Sequence, residues 1–171
     1  QNCHQSDING SFTGSINSKM IKELGCKYVI IGHSENRVNG DDNALINKKI
    51  KVSLDNKLKI LFCIGENFKE KKNKKTKIVI KSQINSGLKN IKNIKNIIFA
   101  YEPVWSIGTG IIPKGHELKN NILFIKQLLK KKFRKWKTKS GCLARARFQR
   151  MPRAVEYPTV RRNTRFSASS T

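Results

Sequence analysis

Glu102 closes the apolar run Ile97-Ile98-Phe99-Ala100-Tyr101, and the Pro103 that follows disfavours helical backbone at the residue before it. Its carboxylate is therefore expected where a strand ends. Next comes a short apolar hinge, Pro103-Val104-Trp105, then Ser106-Ile107 and the flexible Gly108-Thr109-Gly110, whose amides can approach an anion. His33-Ser34-Glu35 stands after Gly32 at the end of a second apolar run, and Glu66 closes a third. Glu102 suits a general base if the hinged segment closes and excludes water, and it equally suits a paired or solvent-facing acid. At a helix N-terminus His33 would favour the neutral imidazole as a hydrogen-bond donor; its plainer role is a histidine satisfied by a backbone group. A base and a neutral donor on neighbouring strands, with a Gly-rich anion contact, fit proton abstraction next to the carbonyl of a small phosphorylated substrate.

The elements that must position these groups repeat one design. Tyr28–Ile31, Ile60–Ile64 and Ile97–Tyr101 are continuous apolar runs, as expected of strands buried on both faces, and each ends in polar residues. Some thirty to forty residues separate them, with helical spacing at Ala44, Leu45, Ile46, Ile50, Val52 and Leu54, and again at Ile78, Val79, Ile84 and Leu88. That is the grammar of βαβ units in a parallel sheet, which gathers its chemistry at the C-terminal strand ends. Ser15–Leu24 reads as a short helix stopped by Gly25, and Gly115–Lys132 as a final amphipathic helix. Gly10-Ser11-Phe12-Thr13-Gly14 presents one aromatic residue between glycines, either for docking or folded back on its own core. The charge run Lys69–Lys77 reads as a solvated helix start.

The 171 residues carry a net charge of +25, which would ordinarily point to nucleic acid. The cations form two populations, however. All 27 Lys lie at or before Lys139 and seven of the nine Arg lie after it, while Asn and Ile are nearly absent beyond that point. The first regime matches AT-rich coding and the second GC-rich coding. The expected organisation is a folded segment, 1–132, and a disordered basic tail, 133–171, that arose by frameshift or foreign read-through. On this account the Lys excess selects no partner, and a nucleic-acid-binding role acting through the Arg-rich tail is the alternative. Cys3, Cys26, Cys63 and Cys142 show no CxxC pair and no zinc spacing, as expected of free cytosolic thiols. No apolar run has the length of a membrane span, and no signal peptide opens the chain. With Met20 as its first methionine, the chain reads as a fragment at its N-terminus.

Three stretches, Tyr28-Val29-Ile30-Ile31-Gly32-His33-Ser34-Glu35, Cys63-Ile64-Gly65-Glu66 and Ala100–Gly110, resemble signatures of the triosephosphate isomerase family in its order and spacing. Gln1-Asn2 and Gly10–Gly14 resemble its preceding segment. The resemblance covers about the first 130 residues. It implies a partial (β/α)8 TIM barrel, with about four of eight strands present, in the α/β class. It also implies roles, which come with the family rather than from the residues. Glu102 is the base interconverting dihydroxyacetone phosphate and glyceraldehyde 3-phosphate, in glycolysis and gluconeogenesis, and His33 is the electrophile; Glu35 and Ser34 support the site. Pro103–Gly110 is the closing lid, with Gly108 on the substrate phosphate, and Phe12-Thr13-Gly14 enters the partner subunit of a cytoplasmic homodimer. No metal or organic cofactor is implied.

Departures accompany the resemblance. Ser11 stands for a small apolar residue, Ser15 for an acid, Asn36 for the first of two arginines, and Ser106 for an alanine of the lid. The family's first two strands, with a substrate-binding Asn and Lys, and its last two, with glycine-rich phosphate loops, have no counterpart here. Without that Lys the developing negative charge loses a counter-charge, so the chain as written is expected to be inactive.

Overall fold

In the computed structural model, which describes residues 1–6 and 11–133, the elements alternate as the sequence pattern requires. They are α1 (Ser18–Glu23), β1 (Tyr28–Ile31), α2 (Ser34–Val38), α3 (Asn43–Asp55), β2 (Lys59–Ile64), α4 (Phe68–Lys72), α5 (Thr76–Gly87), β3 (Ile97–Tyr101), a 3-10 turn (Val104–Ser106) and α6 (Gly115–Lys132). The strands form one parallel sheet in the order β1-β2-β3. The described residues therefore hold three strands rather than about four; next to β1 a single bond, from Ile30 N–H to the carbonyl of Gln1 at 3.1 Å, stands where a further strand would run. The proposed tail lies outside the described residues, apart from Phe133, which packs on the core.

Side chains alternate across the sheet. Val29, Ile31, Ile60, Phe62, Ile64, Ile97, Phe99 and Tyr101 share the face covered by helices and are buried. Ile46 and Ile50 of α3, Ile80 and Ile84 of α5, and Ile125 and Leu129 of α6 complete the same core. Phe62 and Phe99 lie at its centre with ring centroids 5.9 Å apart, each side chain contributing about 1.5–3 kcal/mol through burial. The opposite face carries the lateral row Ile30, Leu61 and Ile98, with Ile30 37 % exposed and the other two half-buried. Full burial on both faces is thus corrected to full burial on one, with the other only partly covered, most closely at Cys63, which is 6 % exposed. The helices supply apolar residues to a single side, and three strands do not close on themselves to enclose the other.

Local signals set most boundaries. Asp42 caps α3 by accepting from Leu45 N–H at 2.7 Å, and Asn67 and Glu70 form a reciprocal capping box at α4. Asn17 accepts from Met20 N–H at 2.8 Å, which starts α1 at Ser18 and makes it shorter than the spacing from Ser15 to Leu24 suggested. Only Ile21 of its apolar positions is buried; Ile16, Met20 and Leu24 are exposed. The lysine run spans α4 and the start of α5 and is solvated at Lys69, Lys72, Lys74, Lys75 and Lys77, whereas Lys71 is half-buried.

Candidate active site

Beyond β1 the chain turns at Gly32, whose φ of +79° and tight surroundings, with Cys63 O 2.9 Å from where a Cβ would stand, both demand glycine. His33 follows as the residue capping α2, without a side-chain cap bond. Arg37, one turn into that helix, returns to the strand ends. Its Nε donates to the Gly32 carbonyl at 2.7 Å, one terminal nitrogen to Asn43 Oδ1 at 2.9 Å, and the other to the Cys63 carbonyl at 3.2 Å. The planar fork thereby ties β1, β2 and the start of α3 together. Burial lowers the Arg37 pKa, with Cys63 and Asp41 opposing that shift.

Beyond β2 and β3 the ladder continues into the site. Glu102 N–H donates to Ile64 O at 2.8 Å and Val104 N–H to Glu66 O at 3.0 Å. Gly65, between them, is gripped by Gln83 of α5, which accepts from its N–H and donates to its carbonyl, both at 2.9 Å. No side chain fits at Gly65, because its Cβ would overlap the carbonyl oxygen of Glu102. The backbone of the expected base is therefore fixed from the β2 side, by Ile64 and Gly65.

His33 Nε2 and Glu102 Oε1 are 3.2 Å apart, with the two side chains 29 % and 28 % exposed. They meet across the top of β2, since β1 and β3 are separated by that strand rather than adjacent. Glu35 lies 3.7 Å from His33 Nδ1, outside hydrogen-bond distance, and its side chain is exposed; Ser34 opens α2. The Cys63 thiol is pushed up to about 12, first by burial and then by the charge of Glu102, with Arg37 pulling the other way.

Pro103 and Trp105 are buried and begin the hinged segment, whereas Ile107, Gly108, Thr109 and Gly110 are exposed. Ser106, at the position noted as a departure, donates its hydroxyl to Pro103 O at 2.8 Å, and Thr109 Oγ1 donates to Trp105 O at 2.9 Å. Gly108 has φ +70° and open space around it. In sequence Glu66 stood out as a polar strand end and as part of the Cys63-Ile64-Gly65-Glu66 stretch, without a role of its own. Its carboxylate, 1 % exposed, accepts from Trp105 Nε1 at 2.8 Å and from the Tyr101 hydroxyl at 3.0 Å. Burial, then the Glu66 charge, raises the Tyr101 phenol and keeps it a donor, while the hydrogen bond from Asn121 acts the other way. Gly65, Arg37 and Gln83 also escaped assignment; the Cys-Ile-Gly-Glu motif signalled Gly65, while nothing in the spacing signalled the reach of the other two.

Phe12 is 45 % exposed and leans on His4, ring centroids 4.2 Å apart, while Thr13 and Gly14 are exposed. Open grooves of about 490 Å³ beside Lys51 and Asn93, and about 430 Å³ between α5 and α6, are not lined by His33 or Glu102. Among the described residues there is no cluster of metal-ligating side chains, and no helix is long and apolar enough to cross a membrane.

The sequence profile described as triosephosphate isomerase matches residues 1–143, running past the boundary expected at 132. A triosephosphate isomerase of Thermodesulfovibrio yellowstonii is 44 % identical over 124 residues, covering 71 % of this chain and 50 % of the relative. One from Alkaliphilus metalliredigens is 43 % identical over 136 residues, covering 78 % and 54 %, and one from Ruthia magnifica is 43 % identical over 123 residues, covering 70 % and 50 %. The chain spans about half the length of these curated relatives. Nothing in the relatives points to nucleic-acid binding.

Proposed function

The chain belongs to the triosephosphate isomerase family, and from that premise we propose that its parent protein interconverts dihydroxyacetone phosphate and glyceraldehyde 3-phosphate in glycolysis and gluconeogenesis. The observation that carries this reading is the 3.2 Å approach of His33 Nε2 to Glu102 Oε1 at the C-terminal ends of parallel strands. At 3.2 Å the two groups touch, so Glu102 swings off His33 to admit the substrate, which then meets the carboxylate on one side and the imidazole N–H on the other. Glu102 removes the proton from the carbon next to the carbonyl and returns it to the neighbouring carbon. His33, neutral in this role, donates to the carbonyl oxygen as negative charge develops there, gives it the N–H proton and takes one from the neighbouring hydroxyl, so the oxygen protons balance and the imidazole ends as it began. Closure of Pro103–Gly110 excludes water and brings the Gly108 amide to the phosphate. Glu35 and Ser34 serve the site from α2, and the reaction takes no metal or organic cofactor.

The same reading makes the intact protein a cytoplasmic homodimer, with Phe12-Thr13-Gly14 inserted into the partner subunit. It treats 1–132 as the barrel portion and 133–171 as a foreign tail. Alone, the 171-residue chain matches only about half of its relatives' length and has a sheet with one half-exposed face, so it should show no turnover. The test is a chimera in which residues 1–132 replace the matching segment of the Thermodesulfovibrio yellowstonii enzyme. Turnover of glyceraldehyde 3-phosphate is expected, falling by about a hundred- to ten-thousandfold with Glu102→Gln. A folded chimera without turnover, or one indifferent to that change, would overturn the proposal.

A further inference from the structure

One side chain touches both ends of the hinged segment between β3 and α6. Lys71 Nζ, in α4, sits 3.4 Å from the centroid of the Trp105 ring, at the start of that segment. The same ammonium is 3.0 Å from Glu117 Oε2, in the first turn of α6 just beyond its end. Trp105 is itself 7 % exposed and donates its indole N–H to the buried Glu66. Between these anchors Ile107–Ile112 is exposed.

The physical chemistry of the three groups is cooperative. A cation over the indole face is held by the ring's negative quadrupole, and it makes the ring N–H a stronger donor toward the Glu66 carboxylate. Glu117 compensates the ammonium and fixes it above the ring, and the hydrogen bond from Lys71 is the main reason the Glu117 carboxyl is held below its usual range. Lys71 thereby leaves the solvated behaviour of its neighbours Lys69 and Lys72, which are exposed.

We propose that Lys71 is a positioning residue for the lid, a brace that joins the Trp105 end to the Glu117 end and sets where the segment between them can hinge. This rests on the reading of Pro103–Gly110 as a lid. Loss of the ammonium frees the Trp105 end, while loss of Glu117 lets the ammonium drift from the ring; either change loosens the bond from Trp105 to Glu66.

The test is hydrogen exchange of the Trp105 indole proton by NMR in the full chain carrying Trp136→Phe, which leaves one indole in the sequence. Backbone amides of Phe62 and Phe99 serve as the internal reference. Lys71→Met should raise indole exchange about threefold to tenfold with the reference amides unchanged, Glu117→Gln should raise it less, and Lys71→Arg should restore protection. In the chain without a change at Lys71, salt at about 1 M, where the Debye length is about 3 Å, should raise indole exchange selectively. An unchanged indole in Lys71→Met, or no restoration by arginine, overturns the brace. If Lys71→Met unprotects the reference amides as well, the salt titration decides, and a flat response overturns it. Turnover plays no part in this measurement, so an inactive chimera with the expected exchange pattern would defeat the isomerase reading and leave the brace standing.

Discussion

Gly65 presses its α-carbon against the carbonyl oxygen of Glu102 so closely that no Cβ can be placed between them. The strand carrying the expected base is thus seated by the absence of a side chain on its neighbour. Gln83 holds the other side of Gly65 through two hydrogen bonds of 2.9 Å, so the glycine has little freedom to retreat.

Gly65→Ala should therefore displace the Glu102 backbone rather than be absorbed locally. Overpacking of this kind costs about 1–3 kcal/mol. Urea unfolding of the chain should show a lowered midpoint with unchanged slope, and the chimera should lose most of its turnover. A native midpoint with native turnover would show that the contact yields without consequence.

Arg37→Lys should also be poorly tolerated, despite the conserved charge. A lysine cannot span the Gly32 carbonyl, Asn43 and the Cys63 carbonyl at once, and it leaves part-buried acceptors unpaired. The expected loss is about 1–3 kcal/mol in urea unfolding. Retention of full stability would mean that water replaces the lost donors.

Cys63 predicts a dependence on alkaline pH. Its thiol ordinarily ionises near 9.0 and is pushed up to about 12 in the folded chain. The folded state holds the proton more tightly, so the contribution is fully present below pH 9 and is lost as pH rises towards 12. Up to about 4 kcal/mol is at stake. Urea midpoints measured across that range should fall more steeply in the parent chain than in Cys63→Ala; equal slopes would contradict the burial argument. Iodoacetamide at pH 8 should likewise modify the exposed Cys26 and spare Cys63 until denaturant is added.

The amino-acid sequence by itself determined the strands and the last helix. Tyr28–Ile31, Ile97–Tyr101 and Gly115–Lys132 stand where the apolar runs and spacing placed them, and Ile60–Ile64 gains only Lys59. These are local properties, carried by β-branched runs, turn residues and helical periodicity. The residues of the His33 and Glu102 pair were legible for the same reason, as polar groups at strand ends. Which face of the sheet is covered was not legible, because a continuous apolar run looks alike from either side. Nor were the reach of Arg37 to Cys63, the acceptance by Glu66 of the Trp105 indole, or the span of Lys71 between Trp105 and Glu117. Each joins residues dozens of positions apart, and only the parallel stacking of β1, β2 and β3 brings them within hydrogen-bond distance.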